Sequence, residues 1–269
     1  MTDDVRILKD RSVIITGACR GLGLAMAEAV LAAGGQVTAT SVDAAALMKT
    51  CRRLADRHGG KNILGVDGDV ASEADCERVV AETLGRFDGL YGLVNNAGLG
   101  MSYVNQGQPN TIPFWKTDTA RWSRVIEVNV IGTFLMTKAA TPHLVARKAG
   151  RIVNITTSLP HMQDAFVTPY GPSKGAIEAM SLAWAKELNG TGVTVNTLLP
   201  GGPTDTLMVS ESYRSTGQHL LDPHVMQAPI LWLLSDRSAT RTGCRYVARN
   251  WGPPDADARA IEDPVYRRP

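Results

Sequence analysis

The sequence predicts an open, doubly wound α/β sheet in a single domain, and three observations carry that expectation. Short β-branched runs alternate with longer amphipathic stretches along the whole chain. The strand candidates are apolar throughout, as expected of strands covered on both faces and paired in parallel through right-handed crossovers. A glycine-rich turn follows the first of them and runs straight into a helix-forming stretch.

The elements follow in order. Residues 12–16 (SVIIT) read as a buried strand, and 21–33, rich in Ala and Leu, as a helix. A strand over 36–42 precedes a helix over 44–57, with Asp43 placed to cap it. A strand over 63–66, a helix over 73–87 and a strand over 90–95 complete the first half. The second half reads as a helix over 122–146, a strand over 151–156, a helix over 168–188, a strand over 193–199 and a last strand over 244–248. Two stretches, 99–119 and 201–223, break the rhythm with Gly, Pro and polar residues. Each follows a strand's carboxyl end, where such sheets bind ligands. The expected domain spans 1–250, and 251–269, with its prolines, reads as an irregular tail.

Composition narrows the function. The chain has 269 residues, 44% hydrophobic and 20% charged, which is globular rather than disordered. Twenty-eight basic residues against 26 acidic ones leave a net charge of +2, too balanced for a nucleic-acid or anionic-membrane binder. No apolar run approaches a membrane span, and the charged first ten residues lack the apolar core of a secretory signal. The four cysteines are scattered and the five histidines dispersed, so no metal site is expected and free thiols in the cytoplasm are.

The turn after the first strand reads Thr16-Gly17-Ala18-Cys19-Arg20-Gly21-Leu22-Gly23. Glycines let the backbone turn sharply and approach a pyrophosphate, which then meets the N–H groups opening the helix. Further on stand Asp69-Val70, Asn95-Asn96-Ala97-Gly98, Asn129 in RVIEVNV, Tyr170-Gly171-Pro172-Ser173-Lys174 and Pro200-Gly201. Tyrosine and lysine four apart share one helix face, where an ammonium would lower the phenol's pKa and make it a usable acid and base.

Taken together and in this order, these segments resemble the short-chain dehydrogenase/reductase family over about 240 residues. The resemblance implies a Rossmann-like sheet and a nicotinamide cofactor held by Gly17, Arg20, Gly21, Leu22, Gly23, Ser41, Asp69, Val70, Asn95, Ala97, Gly98, Pro200 and Gly201. Tyr170 would exchange the proton, and Lys174 would bond the nicotinamide ribose. Asn129 would organise a water that relays protons to Lys174. A hydroxyl would bond the substrate oxygen: family spacing falls on Thr157, while Ser158, one residue on, matches by residue type and is favoured slightly. An extra residue after Pro200-Gly201 shifts the nicotinamide-amide donor from Pro203, which has no N–H, to Thr204, with Thr206 following.

Arg20 with Ser41 favours NADP(H) over NAD(H), because a cation beside a hydroxyl accepts a 2′-phosphate that a carboxylate would repel. The expected reaction is hydride transfer between that cofactor and a carbonyl or alcohol. The alternatives are an NAD(H)-dependent alcohol dehydrogenase or an epimerase or dehydratase on the same scaffold; a nucleotide sensor is disfavoured because Tyr170 and Lys174 are both present. Segments 99–119, 159–167 and 204–223 would line the substrate pocket, with Arg214 contributing one charge. The family also implies a homotetramer or dimer.

Overall fold

The computed structural model describes residues 6–108 and 111–252. Seven strands, β1 (Ser12–Thr16), β2 (Gln36–Ser41), β3 (Ile63–Asp67), β4 (Gly92–Asn95), β5 (Gly150–Ile155), β6 (Val193–Leu199) and β7 (Arg245–Val247), lie parallel in one sheet of order β3-β2-β1-β4-β5-β6-β7. The helices are α1 (Gly21–Ala32), α2 (Ala44–His58), α3 (Glu73–Arg86), the short α4 (Met101–Val104), α5 (Thr119–Ile126), α6 (Gly132–Ala146), the short α7 (Leu159–Gln163), α8 (Tyr170–Glu187), the short α9 (Glu211–Arg214) and α10 (Gln227–Leu234).

Alternation along β1 explains why the strands look uniformly apolar. Val13 and Ile15 pack with Val37, Ala39 and Val153 under α1, α2 and α10, while Ile14 packs with Leu93, Ile152 and Val195 under α3, α6 and α8. Helix starts follow local chemistry. Asp43 accepts from Ala46 N–H at 2.9 Å to cap α2, Ser72 caps α3 through Asp75 N–H, and Asp118 caps α5 through Arg121 N–H at 2.8 Å.

Two features depart from the sequence expectation. The helix expected over 122–146 is two helices, α5 and α6, joined by a wide π turn over Glu127–Ile131 that carries Asn129. Helix α10 was not expected at all. It is apolar nearly all round and carries Pro229 in its first turn, so it shows neither a polar face nor an uninterrupted pattern. The expected tail lies outside the described residues except Trp251 and Gly252, and Trp251 packs edge-on to Trp232, ring centroids 5.7 Å apart. Among the described residues no helix is long and apolar enough to cross a membrane.

Candidate active site

The crossovers leave β1 and β4 in opposite directions, so the sheet opens a crevice above the carboxyl ends of these two neighbours. The glycine turn lies on one side of it. Gly17 has φ +65° and a Cβ there would sit 3.0 Å from Ala97 Cα; a Cβ on Gly23 would sit 2.3 Å from the Gly17 carbonyl oxygen. Arg20 opens α1 in extended conformation without a side-chain cap, and no acidic residue stands in the first turn. The leading N–H groups of Gly21, Leu22 and Gly23 therefore meet no side-chain acceptor, which suits an anion. A phosphate-bearing dinucleotide fits this bare backbone cradle.

Asn95 and Asn96 divide the work of their motif. Asn95 points into the helix layer, donating to Asn154 Oδ1 at 2.8 Å and Thr137 Oγ1 at 3.0 Å. Asn96 instead donates to the carbonyls of Thr16 at 2.9 Å and Gly17 at 3.2 Å. Thr16 Oγ1 accepts the N–H groups of Asn96 and Ala97, each at 2.9 Å. Thr16 and Asn96 are thus the fasteners of the turn. Neither was singled out as a site residue, although both stand inside the quoted motifs.

Ser41, at the tip of β2, accepts from Asp43 N–H at 3.2 Å, and Arg20 is exposed with no side-chain partner among the described residues. Asp69 is paired with Arg124 and accepts from Ala71 N–H at 2.9 Å. Val70 packs against Gly132, where a Cβ would come within 2.6 Å of it. Leu221 exchanges hydrogen bonds with Pro203 and Asp205, which turns the N–H of the intervening Thr204 away from that bridge. Thr206 comes against the cradle, its Cγ2 2.9 Å from a Cβ built on Gly21. Gly201, following Pro200, adopts φ +94° under the Arg249 side chain.

The opposite side of the crevice is made of side chains. Lys174 is buried and its Nζ donates to the Ile155 carbonyl at 2.9 Å. Asn129, fully buried in the π turn, accepts from Leu99 N–H at 2.8 Å and donates to Leu99 O at 3.0 Å and Ser173 Oγ at 2.9 Å. Gly98 lies between them: a Cβ on it would be 3.2 Å from Asn129 Oδ1 and 3.7 Å from Lys174 Nζ. The Thr157 side chain is the polar neighbour that acts on the Tyr170 phenol, drawing its pKa down. Ser158 stands at the start of α7, where its hydroxyl makes no capping bond.

Lys174 Nζ lies 5.8 Å from the Tyr170 ring centroid and is turned to the Ile155 carbonyl. Burial pushes Tyr170 up to about 12, against a smaller lowering from Thr157. Burial also brings Lys174 down to about 8, partly offset by the carboxylate of Glu178. Arg214 is bound to Asp205 at 2.5 Å and to Thr206 O at 2.7 Å. On the segments that follow β4, β5 and β6, Phe114, Trp115, Phe166, Leu207 and Met208 are exposed.

The chain is similar to known proteins. The short chain dehydrogenase family matches residues 11–216. A 2-(S)-hydroxypropyl-CoM dehydrogenase of Xanthobacter autotrophicus is 31% identical over 89% of this chain and 95% of its own. The 2-(R)-hydroxypropyl-CoM dehydrogenase of the same organism is 34% identical over 71% of this chain and 74% of its own. The crystal structure of a short-chain dehydrogenase/reductase from Brucella melitensis, described as a glucose/ribitol dehydrogenase, superposes with a TM-score of 0.73 at 25% identity, covering 91% of this chain and 98% of the other. With the family matched across most of its length and its sheet reproduced in solved members, the chain belongs to the short-chain dehydrogenases, oxidoreductases acting on alcohol and ketone groups.

Proposed function

We propose that the protein interconverts a secondary alcohol and its ketone with NADP(H), Tyr170 serving as the proton donor in the reductive direction. The observation that carries this reading is the meeting at one crevice of a bare glycine cradle and a half-buried Tyr170 one helical turn from the buried Lys174. Bound in the cradle, the nicotinamide cofactor supplies the hydride.

The chain's own residues supply the rest. Burial keeps the Tyr170 phenol protonated at neutral pH, which equips it to protonate an oxygen that gains negative charge. Lys174 keeps its ammonium below about pH 8 and stabilises the phenolate left behind. Thr157, whose side chain acts on the Tyr170 phenol, is the better-placed partner for the substrate oxygen, with Ser158 its neighbour in reserve. Asn129 fixes the loop after β4 to α8 and supports Lys174 from beneath Gly98. Thr204 N–H, turned away from Leu221, is the donor for the cofactor's carboxamide.

Arg20 supports NADP(H), being unpaired beside Ser41, while Asp43 is engaged in capping α2. The relatives whose names specify both hands of a secondary alcohol suit a ketone substrate of moderate size, and the exposed aromatic and aliphatic rim suits an apolar portion. Calorimetric titration with NADPH, NADH, NADP and NAD, repeated on Arg20→Ala, tests the cofactor assignment. Tighter NADPH binding that weakens about tenfold or more in the variant, with NADH unaffected, is the expected result. Equal binding of NADH in both proteins overturns the 2′-phosphate assignment, and absence of binding by all four overturns the cofactor reading itself.

A further inference from the structure

Tyr170 and Lys174 continue along α8 into a third polar residue on the same stripe, Glu178. Glu178 and Arg245, the first residue of β7, are both nearly inaccessible at 4% and 3% exposure. Arg245 Nε donates to Glu178 Oε1 at 2.9 Å, and Thr197 Oγ1 donates to the other carboxylate oxygen at 3.2 Å. The guanidinium then reaches on, donating from Nη2 to the Thr157 carbonyl oxygen at 2.7 Å. Sheet register dictates this reach. Asn154, Thr197 and Arg245 stand side by side on β5, β6 and β7, while the next residue, Tyr246, turns to the other face against Trp232.

A buried ion pair is a poor stabiliser, because taking two charges out of water costs several kcal/mol and apolar replacements are often as stable or more so. The pair is better explained by what it holds. The β5–β6 ladder continues as far as Thr156, whose N–H still donates to Leu198 O. At Thr157, one residue further, the carbonyl takes Arg245 as its donor. We propose that Arg245, fixed by Glu178, is a positioning residue that sets the Thr157 backbone and, with it, the direction from which the Thr157 hydroxyl faces Tyr170. Neither charged group touches the reacting atoms. The catalytic meaning of this rests on the assignment of Thr157 and Tyr170 under Proposed function, whereas the positioning itself is a statement about the protein alone.

The test reads Tyr170 directly. The phenol carbon of Tyr170 is followed by NMR in protein labelled at the tyrosine ring, its signal identified by its loss in Tyr170→Phe. Arg245→Met is expected to move that signal to where Thr157→Val places it, and combining the two substitutions to move it no further. The apolar pair Glu178→Leu with Arg245→Met is expected to recover the wild-type melting temperature while the signal stays displaced. It also carries the experiment if Arg245→Met alone does not fold. With a ketone that the wild type reduces, kcat falls about ten- to a hundredfold in the doubly substituted protein, while the dissociation constant for NADPH stays within about twofold. A Tyr170 signal at its wild-type position in the stable double variant shows the pair to be structural only and overturns the proposal. A wild type that binds no nicotinamide cofactor overturns the functional reading instead and leaves the NMR result to decide the positioning.

Discussion

The two walls of the crevice are built from opposite materials. One is backbone: Gly17, Gly21 and Gly23 leave no room for a Cβ, and no charged side chain caps the start of α1. The other is side chain: Lys174, Glu178, Arg245 and Asn129 are packed into the interior with hydrogen-bond partners, and Tyr170 stands half-buried beside them. The contrast separates two kinds of vulnerability. A backbone wall fails when atoms are added, and a side-chain wall fails when charge or hydrogen bonding is removed at constant volume.

The largest expected effect lies on the side-chain wall. Tyr170→Phe keeps the volume and deletes the hydroxyl proposed as the acid, so kcat should fall about 10²- to 10⁴-fold in steady-state assays while calorimetry shows unchanged cofactor binding. Comparable loss of cofactor affinity in that variant would erase the division between the walls. Gly23→Ala attacks the other wall by forcing a carbon to 2.3 Å from the Gly17 carbonyl oxygen. Cofactor binding should disappear from the titration, and thermal unfolding should report a loss of about 1–3 kcal/mol.

Thr157→Val and Ser158→Ala sharpen the side-chain wall further. The first should lower kcat about tenfold or more and the second by less than threefold, since Thr157 is the hydroxyl that acts on the Tyr170 phenol. The reverse ranking in parallel assays returns the role to Ser158.

The smallest effect concerns stability. Lys174 titrates near 8 in the folded protein against an ordinary 10.5, so between these values the unfolded chain binds the extra proton and folding stability rises with pH. Lys174→Met should therefore gain about 1–2 kcal/mol at pH 7 and flatten that rise, measured by denaturant unfolding at several pH values. In the wild type the reductive rate should fall as pH rises through about 8, as the ammonium is lost.

The backbone wall was legible in the sequence because its information is local. Glycines at fixed offsets after an apolar strand state a backbone path within eight residues, Thr16 to Gly23. The Tyr170–Lys174 spacing was legible for the same reason, but its electrostatics were not. Whether an ammonium or burial governs a phenol depends on where the lysine turns, and Lys174 turns to Ile155. Glu178 and Arg245 were out of reach because 67 residues separate them and it takes the packing of α8 on β6, together with the β6–β7 register, to bring them together. The π turn at Asn129 was hidden inside a continuous helical pattern, and α10 lacked the polar face that marks a helix.

The hydroxyl of Thr16 has one further consequence. A hydroxyl oxygen accepts two hydrogen bonds and donates one, and this one is filled by Asn96 N–H, Ala97 N–H and the Val94 carbonyl. With no valence left over, it clamps the turns after β1 and β4 into a single rigid jaw before any ligand arrives. The entropy lost on association then falls mainly on the dinucleotide, which gives up its own internal rotations against a mould that does not have to set.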